Sequence, residues 1–276
     1  MVQVRIPLAV QERAWSLVMD DHDAKDHIVN LIAHYGLQSY ERPTPDLVAG
    51  FALSVGGNFL DIGANTGVYS LLYSRLAAAA NVYAFEPLAN VANALEANVR
   101  LNPDLADRIH IERYALSDRA GSSTWYETVN EQGLFSTSST LLQSRAQSIG
   151  KYKTTTIKTR TLDEFALERD LKFDVAKLDV EGHEPAVLAG ASRTIGTNRP
   201  VLIVEILREA TCEALNSWAA AMGYVTYAPC AAGSASILLR LDRLQYVAGA
   251  PNQVLCPAEH VDRLITAAKS VGLVLG

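Results

Sequence analysis

A chain of 276 residues with 49 % hydrophobic and 20 % charged side chains has the composition of an ordinary globular protein, with room for one large domain or two small ones. Its formal net charge of −6 argues against general electrostatic binding to nucleic acid, which requires a basic face. No apolar stretch approaches the roughly 18 residues of a membrane span, and the N-terminus lacks the apolar core of a signal peptide. Three cysteines without C-x-x-C spacing favour a reducing compartment, so we expect a cytoplasmic protein.

The first 55 residues are predicted to form an N-terminal helical extension. Residues 12–19 and 28–35 each carry apolar positions at helical spacing. Residues 20–27 between them are rich in Asp and His, both of which can bind metals. A structural metal site also needs a closed, ordered cage, so a solvated helix junction capped by Asp is the preferred interpretation and a metal site the alternative.

Residues 56–276 are predicted to form an α/β domain, because strand and helix patterns alternate along most of this range. The predicted strands cover residues 58–62, 81–86, 109–114, 173–179, 200–206, 224–228, 235–240 and 252–256. The predicted helices cover residues 67–79, 88–100, 161–170, 185–196, 208–222 and 258–270. The alternation indicates a mostly parallel sheet with helices on both faces and an antiparallel pair among the closing strands.

Residues 117–160 interrupt this alternation. Residues 121–126 could add a strand, whereas residues 131–148 are rich in Ser, Thr and Gln without a steady period. A loop of that length is usually functional or disordered, so we interpret the segment as a lid on the substrate side. Residues 151–160 form an alternating basic strand, which is either a solvated edge protected by lysines or a seat for an anionic or hydroxylated substrate.

The most informative segment is the predicted strand–turn–helix at residues 58–70. Asp61 ends an apolar run, and Gly63 and Gly67 allow close approach of the backbone to a ligand. Glu86 ends the second apolar run, where nucleotide-binding sheets hold a ribose diol. The pattern D-x-G-x-x-x-G lacks the third glycine of a dinucleotide fingerprint. The carboxylate of Asp61, just before the first glycine, suits a methionyl ammonium better than a pyrophosphate. These features favour S-adenosylmethionine over NAD.

Four acidic residues are predicted at the carboxyl ends of strands, where ligands of open α/β sheets bind. They are Asp61, Glu86, Asp179 and Glu205. Buried carboxylates are costly unless they are paired or hydrogen-bonded, so four along one rim need an explanation. The cofactor explains the first two. Asp179 and Glu205, near Glu181, His183 and Glu184, either anchor the backbone of a turn or carry out chemistry.

The sequence resembles the FkbM family of S-adenosylmethionine-dependent methyltransferases from residue 58 to about residue 206. The shared motifs are D-I-G-A-N-T-G, F-E-P, A-L-S-D-R-x-G, T-L-D-E-F, K-L-D-V-E-G-H-E and P-x-L-I-V-E-I. The resemblance implies a class I, Rossmann-like methyltransferase fold, with a seven-stranded sheet whose last strand is antiparallel. It also implies O-methylation of a hydroxyl on a small molecule, a sugar or glycan, or a polyketide-type product. The cofactor-binding residues that it implies are Asp61, Gly63, Ala64, Asn65, Gly67, Glu86, Ser117 and Asp118.

Methyl transfer to an alcohol requires removal of its proton, and two routes fit the residues. In the first, His183 is a general base, because an imidazole titrates near neutrality. In the second, Asp179 and Glu205 hold a divalent metal that lowers the pKa of the hydroxyl, and their oxygen ligands favour Mg²⁺. Glu181 is a further candidate catalytic group. The base is the preferred route, since only two convincing metal ligands are visible.

Two other classes of function remain as alternatives. One is an NAD-linked oxidoreductase, and the other is a non-catalytic protein that retains the cofactor fold as a binding scaffold. The absence of an N-P-P-Y motif after the fourth strand argues against base methylation of nucleic acid, because residues 179–182 read D-V-E-G there. The sequence names neither the acceptor nor the oligomeric state.

Overall fold

A mixed β-sheet forms the centre of the computed structural model, which describes residues 3–10, 13–128, 134–135, 139–233, 235–247 and 250–276. The strands in these ranges are β1 (Gln3–Val10), β2 (Arg13–Asp20), β3 (Phe59–Ile62), β4 (Val82–Phe85), β5 (Ile109–Glu112), β6 (Ala115–Leu116), β7 (Gly121–Thr128), β8 (Tyr152–Arg160), β9 (Val175–Leu178), β10 (Val201–Glu205), β11 (Tyr224–Ala232), β12 (Ala235–Leu241), β13 (Asn252–Pro257) and β14 (Val274–Leu275). The α-helices are α1 (His27–Tyr35), α2 (Thr44–Ser54), α3 (Val68–Leu76), α4 (Ala89–Arg100), α5 (Gln143–Ile149), α6 (Leu162–Arg169), α7 (Glu184–Ala189), α8 (Ser192–Asn198), α9 (Glu209–Met222) and α10 (Val261–Ser270).

The central sheet runs in the order β14-β12-β11-β13-β10-β9-β3-β4-β5. Strands β3, β4, β5, β9 and β10 are parallel, and β13 is antiparallel to both β10 and β11. From β3 the chain builds outward through β4 to β5 and then returns to β9 on the other side. The order therefore reverses between β3 and β9, which is where open α/β sheets bind their ligands.

The predicted α/β class is confirmed, and the sheet has the mixed, mostly parallel character of class I methyltransferases. The expected antiparallel closing strand is β13. The resemblance implied seven strands, whereas the sheet has nine in the described ranges, because β12 and β14 extend the edge beyond β11. None of the helices in those ranges combines the length and apolar character that crossing a membrane requires.

The two faces of the sheet bury separate hydrophobic clusters. Neighbouring residues in a strand point to opposite faces, so Phe59 and Leu60 of β3 belong to different clusters. On one face Phe59 stacks on Tyr73 of α3, with ring centroids 4.5 Å apart. On the other, Leu60 belongs to a cluster that includes Phe165 of α6. Burial on both faces explains why β3 and β10 read as nearly continuous apolar runs.

The N-terminal segment is only partly helical. The prediction of a helix over residues 12–19 is wrong, because β1 and β2 form an antiparallel hairpin there. Leu17 and Met19 are fully buried while Ser16 and Val18 are less so, a period-2 pattern that was read as helical. The helix predicted over 28–35 is confirmed as α1, and Asp26 caps it by accepting a hydrogen bond from the Val29 N–H at 2.9 Å.

The segment 117–160 contains a second, three-stranded sheet of order β6-β8-β7. The strands predicted over 121–126 and 151–160 correspond to β7 and β8. Residues 143–149, predicted to be irregular, form α5. Residues 129–133 and 136–138 of the predicted lid lie outside the described residues.

The single helix predicted over 185–196 is wrong in one respect, because two short helices, α7 and α8, replace it. The break falls at Gly190, where a Cβ atom would lie 2.0 Å from the carbonyl oxygen of Ser117. This close approach brings the Ser117 backbone against the end of α7. The split therefore helps to position the turn that precedes α7, which carries His183.

Candidate functional site

A cavity of about 380 Å³ opens at the carboxyl ends of the parallel strands, at the reversal of strand order between β3 and β9. Its walls come from α1, from the turn after β3, from the ends of β4, β9 and β10, and from the 117–160 segment. Trp125, Ser139, Leu141 and Arg145 are the lining residues of that segment. The segment therefore contributes to the wall of the cavity, and its action as a lid stays a prediction.

The glycine turn after β3 forms one wall. Gly63 has φ +87°, and a Cβ atom there would lie 1.9 Å from the carbonyl oxygen of Asp179, so no larger residue fits without moving β9. Asn65 and Gly67 also have positive φ, of 49° and 94°. The N–H groups of Gly63 and Ala64 both donate to the Phe85 carbonyl at 3.0 Å, which ties the turn to the end of β4.

Asp61 does not line this cavity. It is 2 % exposed, and its Oδ2 accepts a hydrogen bond from the Ser70 hydroxyl at 2.6 Å. Burial is the main reason that its pKa rises to about 6. Asp61 instead supports the turn from below. Five of the eight residues that the resemblance implies for cofactor binding line the cavity, namely Gly63, Ala64, Asn65, Gly67 and Glu86, whereas Asp61, Ser117 and Asp118 do not.

Glu86 faces the cavity from the end of β4. Its Oε2 accepts from the Asn65 N–H at 3.2 Å and its Oε1 from the Leu88 N–H at 2.9 Å. Burial raises the pKa of Glu86 to about 7, and these two hydrogen bonds oppose the shift. Each carboxylate oxygen has a second lone pair, so Glu86 retains capacity to accept hydroxyl donors from a ligand.

Ser117 and Asp118 act on His183 rather than on the cavity. The Ser117 hydroxyl donates to Oδ1 of Asp118 at 3.1 Å and lies 2.9 Å from Nε2 of His183. Since the hydroxyl has one proton, Nε2 of His183 donates to Ser117 in this arrangement, which leaves the lone pair on Nδ1. His183 lines the cavity, and burial lowers its pKa below its ordinary value. Ala115 and Leu116, of the same motif, also line the cavity.

A buried lysine stands among the carboxylates at the end of β9. Lys177 is 2 % exposed, and its Nζ lies 2.5 Å from Oδ2 of Asp179 and 3.7 Å from Oε2 of Glu41. Its pKa is raised because these carboxylates and Glu205 outweigh the effect of burial. Glu41 Oε2 also accepts from the Tyr69 hydroxyl at 2.8 Å, so the cluster joins β9, α3 and the segment between α1 and α2.

Glu181 and Glu184 occupy the turn after β9. Arg145 donates to Oε2 of Glu181 through Nη2 at 3.0 Å, and burial raises the pKa of Glu181 to about 7. Glu184 anchors the turn, since its Oε1 accepts from the N–H groups of Val180 and Gly182 at 3.2 and 3.1 Å. Backbone anchoring, which the sequence left open for Asp179 and Glu205, is thus carried out by Glu184, whereas Asp179, Glu181 and Glu205 line the cavity.

The residues do not fit the divalent metal considered for Asp179 and Glu205. The ammonium of Lys177 occupies the position beside Asp179 that a cation would take, and it is held there by two carboxylates. Among the described residues, no group of three or more His, Cys, Asp or Glu side chains is arranged to bind a metal ion. The same applies to the described residues of the Asp- and His-rich segment 20–27.

Sequence reasoning did not single out Lys177, Glu41 or Arg145. Lys177 carried a detectable signal, because it stands two positions before Asp179 in a strand and therefore on the same face. The sequence contains no such signal for Glu41 and Arg145, because nothing in it indicates that their segments pack beside the cavity. They show that the extension and the 117–160 segment both contribute to the cavity.

The strand order, the glycine turn and the acidic end of β4 together define the class of S-adenosylmethionine-dependent methyltransferases of class I. The chain matches the Methyltransferase FkbM domain over residues 61–226, more than half of its length. It therefore belongs to the FkbM methyltransferase family.

Three solved structures illustrate the range of similar folds. FkbM methyltransferase from Methylobacillus flagellatus KT is 16 % identical, with a TM-score of 0.48; the match covers 72 % of this chain and 42 % of that one. Cofactor-bound Rv0187 from MTB is 13 % identical over 78 % and 80 % of the two chains, with a TM-score of 0.45. The O-methyltransferase from Bacillus cereus in complex with SAH is 15 % identical over 77 % and 80 %, with a TM-score of 0.43. No curated protein matches the chain.

Proposed function

We propose that the protein is an S-adenosylmethionine-dependent O-methyltransferase that acts on a hydroxyl of a small molecule, a sugar or glycan, or a polyketide-type product. The observation that carries the proposal is that one cavity is lined both by groups suited to the cofactor and by candidate catalytic groups. Glu86 and the glycine turn belong to the first set, and His183, Asp179 and Glu205 to the second. A cofactor and an acceptor can therefore meet in a single enclosure, in a protein of a methyltransferase family.

The cofactor supplies an activated methyl group. Glu86 would accept hydrogen bonds from the ribose hydroxyls, Ala115 and Leu116 would hold the adenine, and the backbone of Gly63–Asn65 would hold the methionyl part. Asp61 contributes by holding the turn through Ser70, since its carboxylate is buried below it. Much of the catalysis is the placement of the methyl group against the acceptor oxygen.

His183 is the general base. Nδ1 accepts the proton of the acceptor hydroxyl, because Nε2 is engaged with Ser117 and Asp118 orients that serine. Burial lowers the pKa of His183, so the ring is neutral at pH 7 and able to take a proton. Ser117 and Asp118, first considered as cofactor ligands, are on this interpretation positioning residues for the base.

The chain is divided into an extension of residues 1–55 and a methyltransferase domain of residues 56–276 with the lid at 117–160. The extension supports catalysis by contributing His27, Ile28 and Glu41 to the wall of the cavity. The lid contributes Arg145, which binds Glu181 beside the proposed base. Ordering of the lid over a bound acceptor would exclude water from the reacting atoms.

Isothermal calorimetry tests the cofactor assignment, with S-adenosylhomocysteine expected to bind and NADH not. Binding of NADH instead would establish the oxidoreductase alternative. Mass spectrometry of extracts from matched strains with and without the gene then tests the activity. A metabolite lighter by one methylene unit should accumulate when the gene is missing. Tight cofactor binding without any such metabolite, and without transfer to glycan and polyketide panels, would indicate a non-catalytic protein.

A further inference from the structure

The cavity carries more negative than positive side chains. Within the described residues, five carboxylates line it against two cationic side chains. The carboxylates are Glu41, Glu86, Asp179, Glu181 and Glu205, and the cations are Lys177 and Arg145. If all ionise, three negative charges remain. S-adenosylmethionine has a net charge of +1, from a sulfonium, an ammonium and a carboxylate, so it leaves two of them uncompensated.

Both cationic side chains form ion pairs with carboxylates other than Glu205. Lys177 pairs with Asp179 and Glu41, and Arg145 pairs with Glu181. Glu205 forms no ion pair within the described part of the chain. It is only 8 % exposed, and its Oε2 is buried without a hydrogen-bond partner there. An unpaired buried oxygen of this kind costs free energy that a ligand donor can recover.

Lys177 does not fully compensate the carboxylates around Glu205. Burial, followed by repulsion from Asp179 and Glu181, raises the pKa of Glu205 well above its usual value, and the attraction of Lys177 opposes this only in part. A bound proton relieves this repulsion, because it removes one of the neighbouring negative charges. A ligand ammonium placed between the carboxylates would relieve it in the same way and also donate hydrogen bonds.

We propose that the methyl acceptor carries a protonated amine close to the hydroxyl that is methylated, and that Glu205 binds this ammonium with Asp179 beside it. The acceptor class is therefore an amino sugar or another amino alcohol rather than a neutral polyol. This inference rests on the proposed function, because it names the class of acceptor that would bind in the part of the cavity left open by the cofactor.

Matched ligands test this inference. Glucosamine, galactosamine and ethanolamine are titrated into protein saturated with S-adenosylhomocysteine, at constant chloride concentration, with binding followed by calorimetry and thermal shift. Their N-acetyl derivatives keep the hydroxyls but lose the charge. At least one amine should bind about tenfold or more tightly than its N-acetyl partner, as expected for a charge-assisted hydrogen bond. The substitution Glu205→Gln should abolish this difference, whereas Glu213→Gln, at an exposed glutamate on α9, should preserve it.

Each outcome decides the inference. If none of the three amines is preferred over its N-acetyl partner by the wild-type protein, the inference is wrong, even when S-adenosylhomocysteine binds normally. A preference seen only in the cofactor-free protein also overturns it, because the methionyl ammonium would then be the cation that the cluster binds. A preference that survives Glu205→Gln shows that another group recognises the amine. Should Glu205→Gln fail to fold, the wild-type comparison decides alone. Failure of S-adenosylhomocysteine to bind overturns the proposed function and this inference with it.

Discussion

The ammonium nitrogen of Lys177 lies 2.5 Å from Oδ2 of Asp179, and the two side chains share one face because they are two positions apart along a strand. The lysine is buried, so carboxylates rather than water stabilise its ammonium group. Asp179 thereby keeps a fixed position in the wall of the cavity without a metal. The pair also connects the sheet to Glu41 of the N-terminal extension.

Loss of this lysine should destabilise the fold. Lys177→Met removes the only ion-pair partner that Asp179 has within the described residues and leaves buried carboxylates uncompensated, which costs about 3–5 kcal/mol in comparable pairs. Urea unfolding measures the loss, with Lys158→Met on exposed β8 as the control. The double variant Lys177→Met/Asp179→Asn should recover part of the stability. Equal stability of Lys177→Met and wild type would mean that the pair contributes nothing.

The carboxylate of Glu86 should make cofactor binding depend on pH. Its pKa is raised to about 7 in the ligand-free protein, and the ribose hydroxyls bind best to the ionised form. Binding then requires loss of a proton below pH 7, so affinity for S-adenosylhomocysteine should rise with pH, by up to about tenfold between pH 6 and pH 8. Calorimetry at both pH values checks this, with Glu86→Gln expected to flatten the dependence.

Truncation of the same residue measures the hydrogen bonds themselves. Glu86→Ala should weaken cofactor binding by about 1–3 kcal/mol, the usual cost of leaving buried polar partners unpaired. Glu213→Ala, at an exposed glutamate on α9, is the control. An unchanged dissociation constant for Glu86→Ala would remove this residue from the cofactor site.

The proposed base predicts a specific kinetic result. His183→Ala should lower turnover by roughly 10²–10⁴-fold, as loss of a general base does, while S-adenosylhomocysteine binding persists. Because the pKa of His183 is lowered from 6.5, activity should fall only in the acidic range below that value, where the ring becomes protonated. Ser117→Ala should lower turnover less, since it removes only the orientation of the ring. Chelators should have no effect; loss of activity in EDTA with recovery in Mg²⁺ would support the metal route instead.

The glycine turn offers a matched pair of substitutions. Gly63 and Gly36 have similar positive φ values of 87° and 81°, but a Cβ at Gly63 would meet the Asp179 carbonyl at 1.9 Å, whereas Gly36 has nothing within 4 Å. Both alanine variants should carry a backbone penalty of about 1–3 kcal/mol, because alanine rarely adopts either conformation. Only Gly63→Ala should lose considerably more stability and cofactor affinity. Equal losses in urea unfolding would show that the contact with Asp179 is unimportant.

The lid should respond to ligands. Backbone amides of α5 and of residues 139–142 should exchange hydrogen faster than those of β3 in the free protein, because α5 is short and has one buried residue. Exchange there should slow when cofactor and acceptor are both bound. Hydrogen-exchange mass spectrometry would refute the lid if the two regions exchanged equally slowly without ligand. The sequence predicts this mobility over residues 128–150, of which 129–133 and 136–138 lie outside the described residues.

Local sequence patterns were sufficient to predict most of the strands and helices of the catalytic domain. The turn at Gly63 and Gly67, the acidic end of β4 at Glu86 and the alternation of strands and helices follow from glycine conformation, periodicity and chain reversals within short windows. The pattern failed at β2, where Leu17 and Met19 alternate with polar or half-buried neighbours over too few residues to separate strand from helix. It also failed at Gly190, where the backbone packs against Ser117 and the carbonyl oxygen accepts from the Asp163 N–H, both far away in the chain.

The sequence by itself determined the fold class, the family motifs and the wall of the cavity formed by the turn after β3, since these depend on residues that are close along the chain. Only the tertiary structure decided the roles of the acidic residues at the carboxyl ends of the strands. Lys177 lies among Asp179, Glu41 and Glu205, while Asp61 lies beneath the turn instead of facing the cavity. The charge on each of these groups depends on burial and on neighbours brought from separate segments, and no local pattern encodes those distances.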